Sequence, residues 1–133
     1  MNRIEGKIEK VVTSGSLSVV TLLINGTMRL KTIIIETPET AQYLKTGNRM
    51  KALFKETEVI LGTDMEPALG IENKIPGRIT EIEQGILLSR VTLKTDIGNL
   101  MALIGTPFID GMGLKENSEV LAMIGMNAIM LSE

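Results

Sequence analysis

Lys55 and Thr57 stand two residues apart in the segment Lys55-Glu56-Thr57-Glu58-Val59-Ile60-Leu61, and together they offer an ammonium and a hydroxyl to a small anion. A tetrahedral dianion needs converging N–H and O–H donors, a positive charge among them, and a partly dry pocket. Hydrogen bonds to charged groups are roughly twice as strong as neutral ones, and backbone N–H groups add donors without side-chain entropy. The same two residues also read as a solvated lysine at a strand end followed by a turn residue. Asn2 and Asn73 each precede a β-type run. There an amide side chain either donates to an anion or shapes a turn, and the turn is the favoured reading. Glu56 would repel an anion if it faced the same pocket.

The missing residue types exclude much other chemistry. The 133 residues include no histidine and no cysteine, which removes the commonest general base, the commonest metal ligand, thiolate metal sites and disulfides. No nucleophile–base pair and no ligand cluster is visible, so neither catalytic residues nor a metal site are expected. Fourteen basic and sixteen acidic side chains give a net charge of −2, without the footprint of a nucleic-acid or anionic-membrane binder. Three aromatics, Tyr43, Phe54 and Phe108, are too few for a base-stacking groove. No apolar run follows Met1 to Gly6, and stretches such as Thr32 to Ile35 are too short to span a bilayer. No leader and no membrane association are expected, and the residence expected is cytoplasmic.

The elements that must position Lys55 and Thr57 emerge from an internal repeat. Residues 2–25 align without a gap on 73–96, with nine identities in those 24 positions, among them Asn2/Asn73, Gly6/Gly77 and the pair Ser18-Val-Val-Thr-Leu22/Ser89-Arg-Val-Thr-Leu93. Further on, Thr37-Pro38 matches Thr106-Pro107, Leu44-Lys45 matches Leu114-Lys115, Ala52 matches Ala122 and Leu61 matches Leu131. The chain thus divides into units 1–64 and 71–133, joined through the breaker-rich Gly62-Thr-Asp-Met-Glu-Pro-Ala-Leu-Gly70. Units of this size bury only about 60% of their unfolded surface, which predicts packing between the repeats and between chains.

Within a unit the pattern is that of strands. Ile4, Gly6 and Ile8 share a face at period two, with the glycines marking a bend or a close backbone approach. Leu17 to Ile24 is apolar on both faces. Asn25-Gly26 is a hairpin signal, and Leu30 to Ile35 returns as a β-branched strand. Thr37 and Thr106 are expected as N-caps of short helices with proline at the first helical position. Met50, Ala52 and Phe54 alternate in a fourth strand, and Val59-Ile60-Leu61 makes a fifth. Met101, Met112, Met123, Met126 and Met130 crowd the second unit, where methionine suits a core or a subunit interface. The predicted fold is all-β: two tandem OB-like small β-barrels, each with one short helix.

Two segments carry a resemblance to a known family. Asn2-Arg-Ile-Glu-Gly6-Lys7-Ile8 and Leu44-Lys-Thr-Gly47-Asn-Arg-Met-Lys-Ala52-Leu-Phe-Lys55-Glu-Thr57-Glu58-Val59-Ile-Leu61 resemble the opening and closing motifs of the Mop (molybdenum–pterin-binding) domain, also seen as the TOBE module. With two such units the chain is similar to a di-Mop protein over nearly all its length. The resemblance implies binding of molybdate or tungstate at interfaces between Mop units, in a homotrimer of di-Mop chains. By position it assigns Asn2, Lys55 and Thr57 to the oxyanion, with Asn73 matching Asn2 in the second unit. The chain departs from the family at Glu56, which replaces a small alanine. It departs again at Gly70-Ile71-Glu72 ahead of Asn73, and at Gly125-Met126-Asn127-Ala128, where lysine, hydroxyl and acid are all lost. The second unit therefore carries a degenerate anion motif.

The function these features imply is non-enzymatic: binding of a molybdate- or tungstate-type oxyanion for storage, buffering or sensing in molybdenum homeostasis. The alternative is a degenerate Mop/TOBE module that serves as a structural or regulatory oligomerisation unit without binding anion. The two units use up the chain and leave no residues for a helix-turn-helix domain, so a DNA-binding regulator is not expected.

Overall fold

A computed structural model describes all residues, 1–133. The first half runs β1 (Asn2–Ser14), β2 (Leu17–Ile24), β3 (Met28–Ile34), β4 (Arg49–Phe54), a 3₁₀ turn η1 (Glu56–Glu58) and β5 (Ile60–Gly62). The second half repeats it: β6 (Asn73–Gln84), β7 (Leu88–Thr95), β8 (Gly98–Gly105), helix α1 (Pro107–Gly111), β9 (Glu119–Ile124), a 3₁₀ turn η2 (Met126–Ala128) and β10 (Met130–Ser132). Two curled five-stranded sheets result, ordered β10-β4-β1-β2-β3 and β5-β9-β6-β7-β8. These are the two OB-like barrels expected from the alternation of apolar residues.

Local chemistry explains most of each barrel. Asn25 and Gly26 adopt φ of 51° and 71°, a left-handed pair in the tight turn that Thr27 N closes on Ile24 O, within a three-residue connection flanked by the pair Ile24–Met28. Met50, Ala52 and Phe54 are all buried, as their alternation in β4 requires. A Cβ on Gly6 would run into Ile24 Cδ1 and lie 2.9 Å from Leu23 O; on Gly77 it would lie 3.0 Å from Thr95 Cγ2 and 3.3 Å from Lys94 O. Both glycines permit close approach, and both long first strands are irregular just beyond, between Ile8 and Lys10 and between Ile79 and Glu81. Such a bulge bends the strand and lets it curl around a small core.

Two features differ from the sequence expectation, and a third divides a group of residues that it treats together. First, the final strands are exchanged. β5 pairs antiparallel with β9 through Ile60–Met123 and Leu61–Ala122, and β10 pairs with β4 through Met130–Leu53 and Leu131–Ala52. Each sheet is completed by the other half, and the buried residues of both halves form one continuous cluster. Second, only the second half has the short helix. Around Thr37 there is a single turn, with Thr37 O accepting from Thr40 N and Ala41 N. Thr106 stands at the N-cap of α1 but makes no cap hydrogen bond. Its hydroxyl donates to Gly85 O at 3.0 Å and lies 2.9 Å from Ser89 Oγ, because the adjacent β6–β7 turn offers acceptors closer than the helix start does. Third, the methionines split: Met123 is buried, whereas Met101 and Met130 are exposed.

Candidate functional site

The two turns η1 and η2 end the fourth strand of each half and cross to the other half, with η1 packing on β8 and η2 on β3. Lys55 precedes η1 in an extended conformation (φ −73°, ψ 148°). That geometry turns the chain sharply out of β4 and leaves Lys55 and Thr57 exposed, with Glu56 half-buried between them.

Lys55, Glu56 and Thr57 line a depression of about 310 Å³ whose other walls are Met1, Arg90 and Leu103. It is a composite of both halves, because Arg90 lies on β7 and Leu103 on β8. Arg90 Nε sits 3.0 Å from Glu56 Oε1, and the Met1 nitrogen lies 3.4 Å from Glu56 Oε2. Two long cationic side chains, a hydroxyl and one carboxylate thus share a small concavity. Such a set can hold a small anion through charge-assisted hydrogen bonds, provided the carboxylate gives way.

Asn2 and Asn73 occupy a different place. Both are buried, at 5% and 2% exposure, and each side chain pairs with a peptide of the opposite half. Asn2 Nδ2 donates to Met101 O and Asn2 Oδ1 accepts from Met101 N, both at 2.8 Å. Asn73 Nδ2 donates to Lys31 O at 2.9 Å, and Asn73 Oδ1 accepts from Lys31 N at 2.7 Å. A carboxamide has the donor and acceptor of a peptide group, so each asparagine extends a strand edge of the other half by one residue. Neither shapes a turn. Of the four residues named from the sequence, the structure brings Lys55 and Thr57 together and places Asn2 and Asn73 in two symmetric clamps.

Sequence reasoning missed Arg90. Its signal was visible in the repeat alignment, where Arg90 replaces Val19, but its proximity to Lys55 depends on how η1 docks on the second half. The counterpart of the depression around η2 is built differently. Gly125, Met126 and Asn127 stand where Lys55, Glu56 and Thr57 stand in the first half, and Glu72 Oε1 accepts from Met126 N at 3.1 Å.

A family model described as the TOBE domain matches residues 70–131. The chain is 26% identical over 133 residues to the molybdenum transport protein ModE of Herbaspirillum seropedicae; the match takes in 98% of this chain and 49% of that protein. The chain therefore spans about half the length of this curated relative. Among solved structures, the cytoplasmic molybdate-binding protein ModG in its molybdate-bound form superposes with a TM-score of 0.91 at 24% identity, covering 98% of this chain and 94% of that one. MopII from Clostridium pasteurianum aligns with 50% of this chain and 100% of its own at 18% identity and a TM-score of 0.48. The TOBE model thus matches the second half, and the same strand plan is duplicated before it.

Proposed function

We propose that this protein binds a tetrahedral oxyanion of the molybdate or tungstate type, without catalysis, in the depression around Lys55. The observation that carries this reading is that Lys55 and Thr57 of the first half and Arg90 of the second line one concavity. The likeness to ModE and ModG, named for molybdenum transport and molybdate binding, supports that ligand class. The use is storage, buffering or sensing, in the cytoplasm as for ModG. No helix is long and apolar enough to cross a membrane. The functional units are 1–64 and 71–133, each completed by the final strand of the other, and Asn2 and Asn73 serve the site by holding the two halves in register.

Calorimetric titration with molybdate, tungstate and sulfate tests the reading. Lys55→Ala removes a charged hydrogen bond worth about 1.5–3 kcal/mol, so affinity should fall roughly 10- to 150-fold. A Lys55→Ala protein that binds molybdate as tightly as wild type places the site elsewhere. A second reading, a structural module that binds no anion, is favoured by Glu56, whose carboxylate already meets Arg90; it prevails if wild type binds none of the three anions.

A homotrimer that presents six barrels completes the proposal. Ile86, Leu87 and Phe108 are 95%, 80% and 60% exposed, large apolar groups at one end of the second half that assembly would cover. Light scattering that shows a stable monomer at micromolar concentration would refute it.

A further inference from the structure

Glu56 is the only acid lining the Lys55 depression, and it lies against the only guanidinium there. Its side chain is 20% exposed, against 46% for Arg90. Although Arg90 Nε approaches Glu56 Oε1 to 3.0 Å, that oxygen is buried and accepts no hydrogen bond. The charges are adjacent but the N–H does not point at the oxygen. A carboxylate oxygen withdrawn from water and held by charge alone is a poorly satisfied group; Glu56 Oε2 accepts from the Met1 ammonium at 3.4 Å, so the Arg90 contact is the weakly held one.

The pair also occurs at only one of the two turns. Val19 stands at the position of Arg90 in the first half, and Met126 at the position of Glu56 in the second. The equivalent positions around η2 thus carry neither charge while the strand plan is the same, so barrel closure does not require the pair. What the pair does accomplish is local: the chain places its own negative charge beside Arg90, in the concavity where Lys55 and Thr57 also stand.

We propose that Glu56 is an internal counter-anion of the oxyanion site and that Arg90 is the cation it holds in reserve. An incoming tetrahedral dianion displaces the carboxylate from Arg90 and sits among Arg90, Lys55 and Thr57. This inference rests on the oxyanion reading above and adds a filter on charge. A dianion exchanges one negative charge for two and gains by the displacement. A monoanion of the same shape exchanges like for like, against a tethered carboxylate at high effective concentration, and is turned away.

The test is calorimetry on the full chain with molybdate and with perrhenate, a tetrahedral monoanion, using wild type, Glu56→Gln, Arg90→Val and the double variant. Wild type should bind molybdate and reject perrhenate. Glu56→Gln should tighten molybdate about tenfold, the scale set by removing one nearby like charge, and should admit perrhenate. Arg90→Val, which installs the residue of the first half, should weaken molybdate about tenfold. In the double variant the gain from Glu56→Gln should shrink, because residues that act on one another are not additive.

Glu56→Asp, whose shorter side chain draws back from Arg90, should shift both anions in the same direction by less and serves if Glu56→Gln fails to fold. If Glu56→Gln leaves molybdate and perrhenate binding unchanged while Lys55→Ala still weakens molybdate, the counter-anion is overturned and the oxyanion site stands. If Glu56→Gln and Arg90→Val only lower the melting temperature, the pair is a structural tie and the inference fails. If neither wild type nor Glu56→Gln binds molybdate, the oxyanion reading and this inference fall together.

Discussion

The turns η1 and η2 are almost the same backbone carrying different chemistry. Each follows an extended residue, Lys55 at φ −73°, ψ 148° and Gly125 at φ −71°, ψ 152°. Each ends in another extended residue, Val59 at −89°, 120° and Ile129 at −99°, 124°. The first carries Lys55, Glu56 and Thr57 beside Arg90; the second carries Gly125, Met126 and Asn127, with Glu72 accepting the Met126 N–H. Framework and site are therefore separable. The sheets, bulges, glycine approaches and asparagine clamps recur in both halves, because each barrel closes by the same packing problem. The cations meet at one turn only, Lys55 from the first half and Arg90 from the second, because nothing in barrel closure requires them. The TOBE model matches residues 70–131, the half whose turn lacks the lysine and the hydroxyl.

The sharpest way to break the comparison is through the clamps, where the halves are equivalent. Asn73→Ala removes the buried carboxamide and leaves the part-buried N–H and C=O of Lys31 without their two side-chain hydrogen bonds. The expected cost is about 2–4 kcal/mol, from two lost bonds and unsatisfied peptide groups. Asn2→Ala should cost as much at Met101. Urea denaturation of both variants checks the symmetry; a loss confined to one of them would show that only one clamp holds the halves together.

The next effect distinguishes the turns. Lys55→Ala should weaken molybdate binding by the 10- to 150-fold expected of a lost charged hydrogen bond, while Asn127→Ala should change it less than about twofold, within the ordinary scatter for a surface substitution. The stoichiometry should be one class of site per chain. Two equivalent sites per chain in the titration would restore the second turn to function.

A smaller difference lies in the glycines. Gly6→Ala meets the Leu23 carbonyl oxygen at 2.9 Å, a backbone atom that cannot step aside, whereas Gly77→Ala meets a threonine methyl at 3.0 Å. Overpacking typically costs about 1–3 kcal/mol. The Gly6 variant should fall at the upper end of that range and the Gly77 variant at the lower, by thermal or chemical unfolding. Equal losses would mean that β1 can shift as readily as β6.

The smallest effect concerns the only tyrosine, which belongs to the first half. Burial, together with the hydrogen bond from Tyr43 Oη to Glu36 Oε2 at 2.7 Å, pushes the Tyr43 hydroxyl up to about 12. An unfolded tyrosine titrates near 10. The folded state thus favours the neutral phenol. Its contribution to stability is complete below about pH 10 and is lost as pH rises toward 12. Denaturation midpoints measured from pH 9 to 12 should fall for wild type and fall less for Tyr43→Phe. Parallel curves for the two proteins would remove Tyr43 as the cause.

Much of the fold was legible because it depends on short-range rules. The repeat, the alternating Met50, Ala52 and Phe54, the Asn25-Gly26 hairpin and the close approach at Gly6 are decided by side-chain period and local backbone sterics, and they stand where expected. The helix around Thr37 was a false expectation because Thr-Pro-Glu carries the same capping signal as a single turn. The segment Thr40–Leu44 ends before it propagates, with Ala41 N and Leu44 N closing separate turns on Thr37 O and Ala41 O. A capping signal marks where a helix begins and leaves its length to the packing that follows.

The amino-acid sequence by itself determined two copies of one strand plan, an aliphatic core, the lack of histidine and cysteine chemistry, and the Lys55–Thr57 pair as the place to look for an anion. The tertiary structure alone decided where β5 and β10 pair, because three-residue strands such as Ile60–Gly62 carry too little pattern to choose between two equivalent edges. It decided that Asn2 and Asn73 bind peptides of the opposite half, since a carboxamide acts as a strand extension only when an open edge stands beside it. It also placed Arg90 against Glu56 across 34 positions of sequence, a meeting that follows from η1 docking on the other barrel and from no local rule.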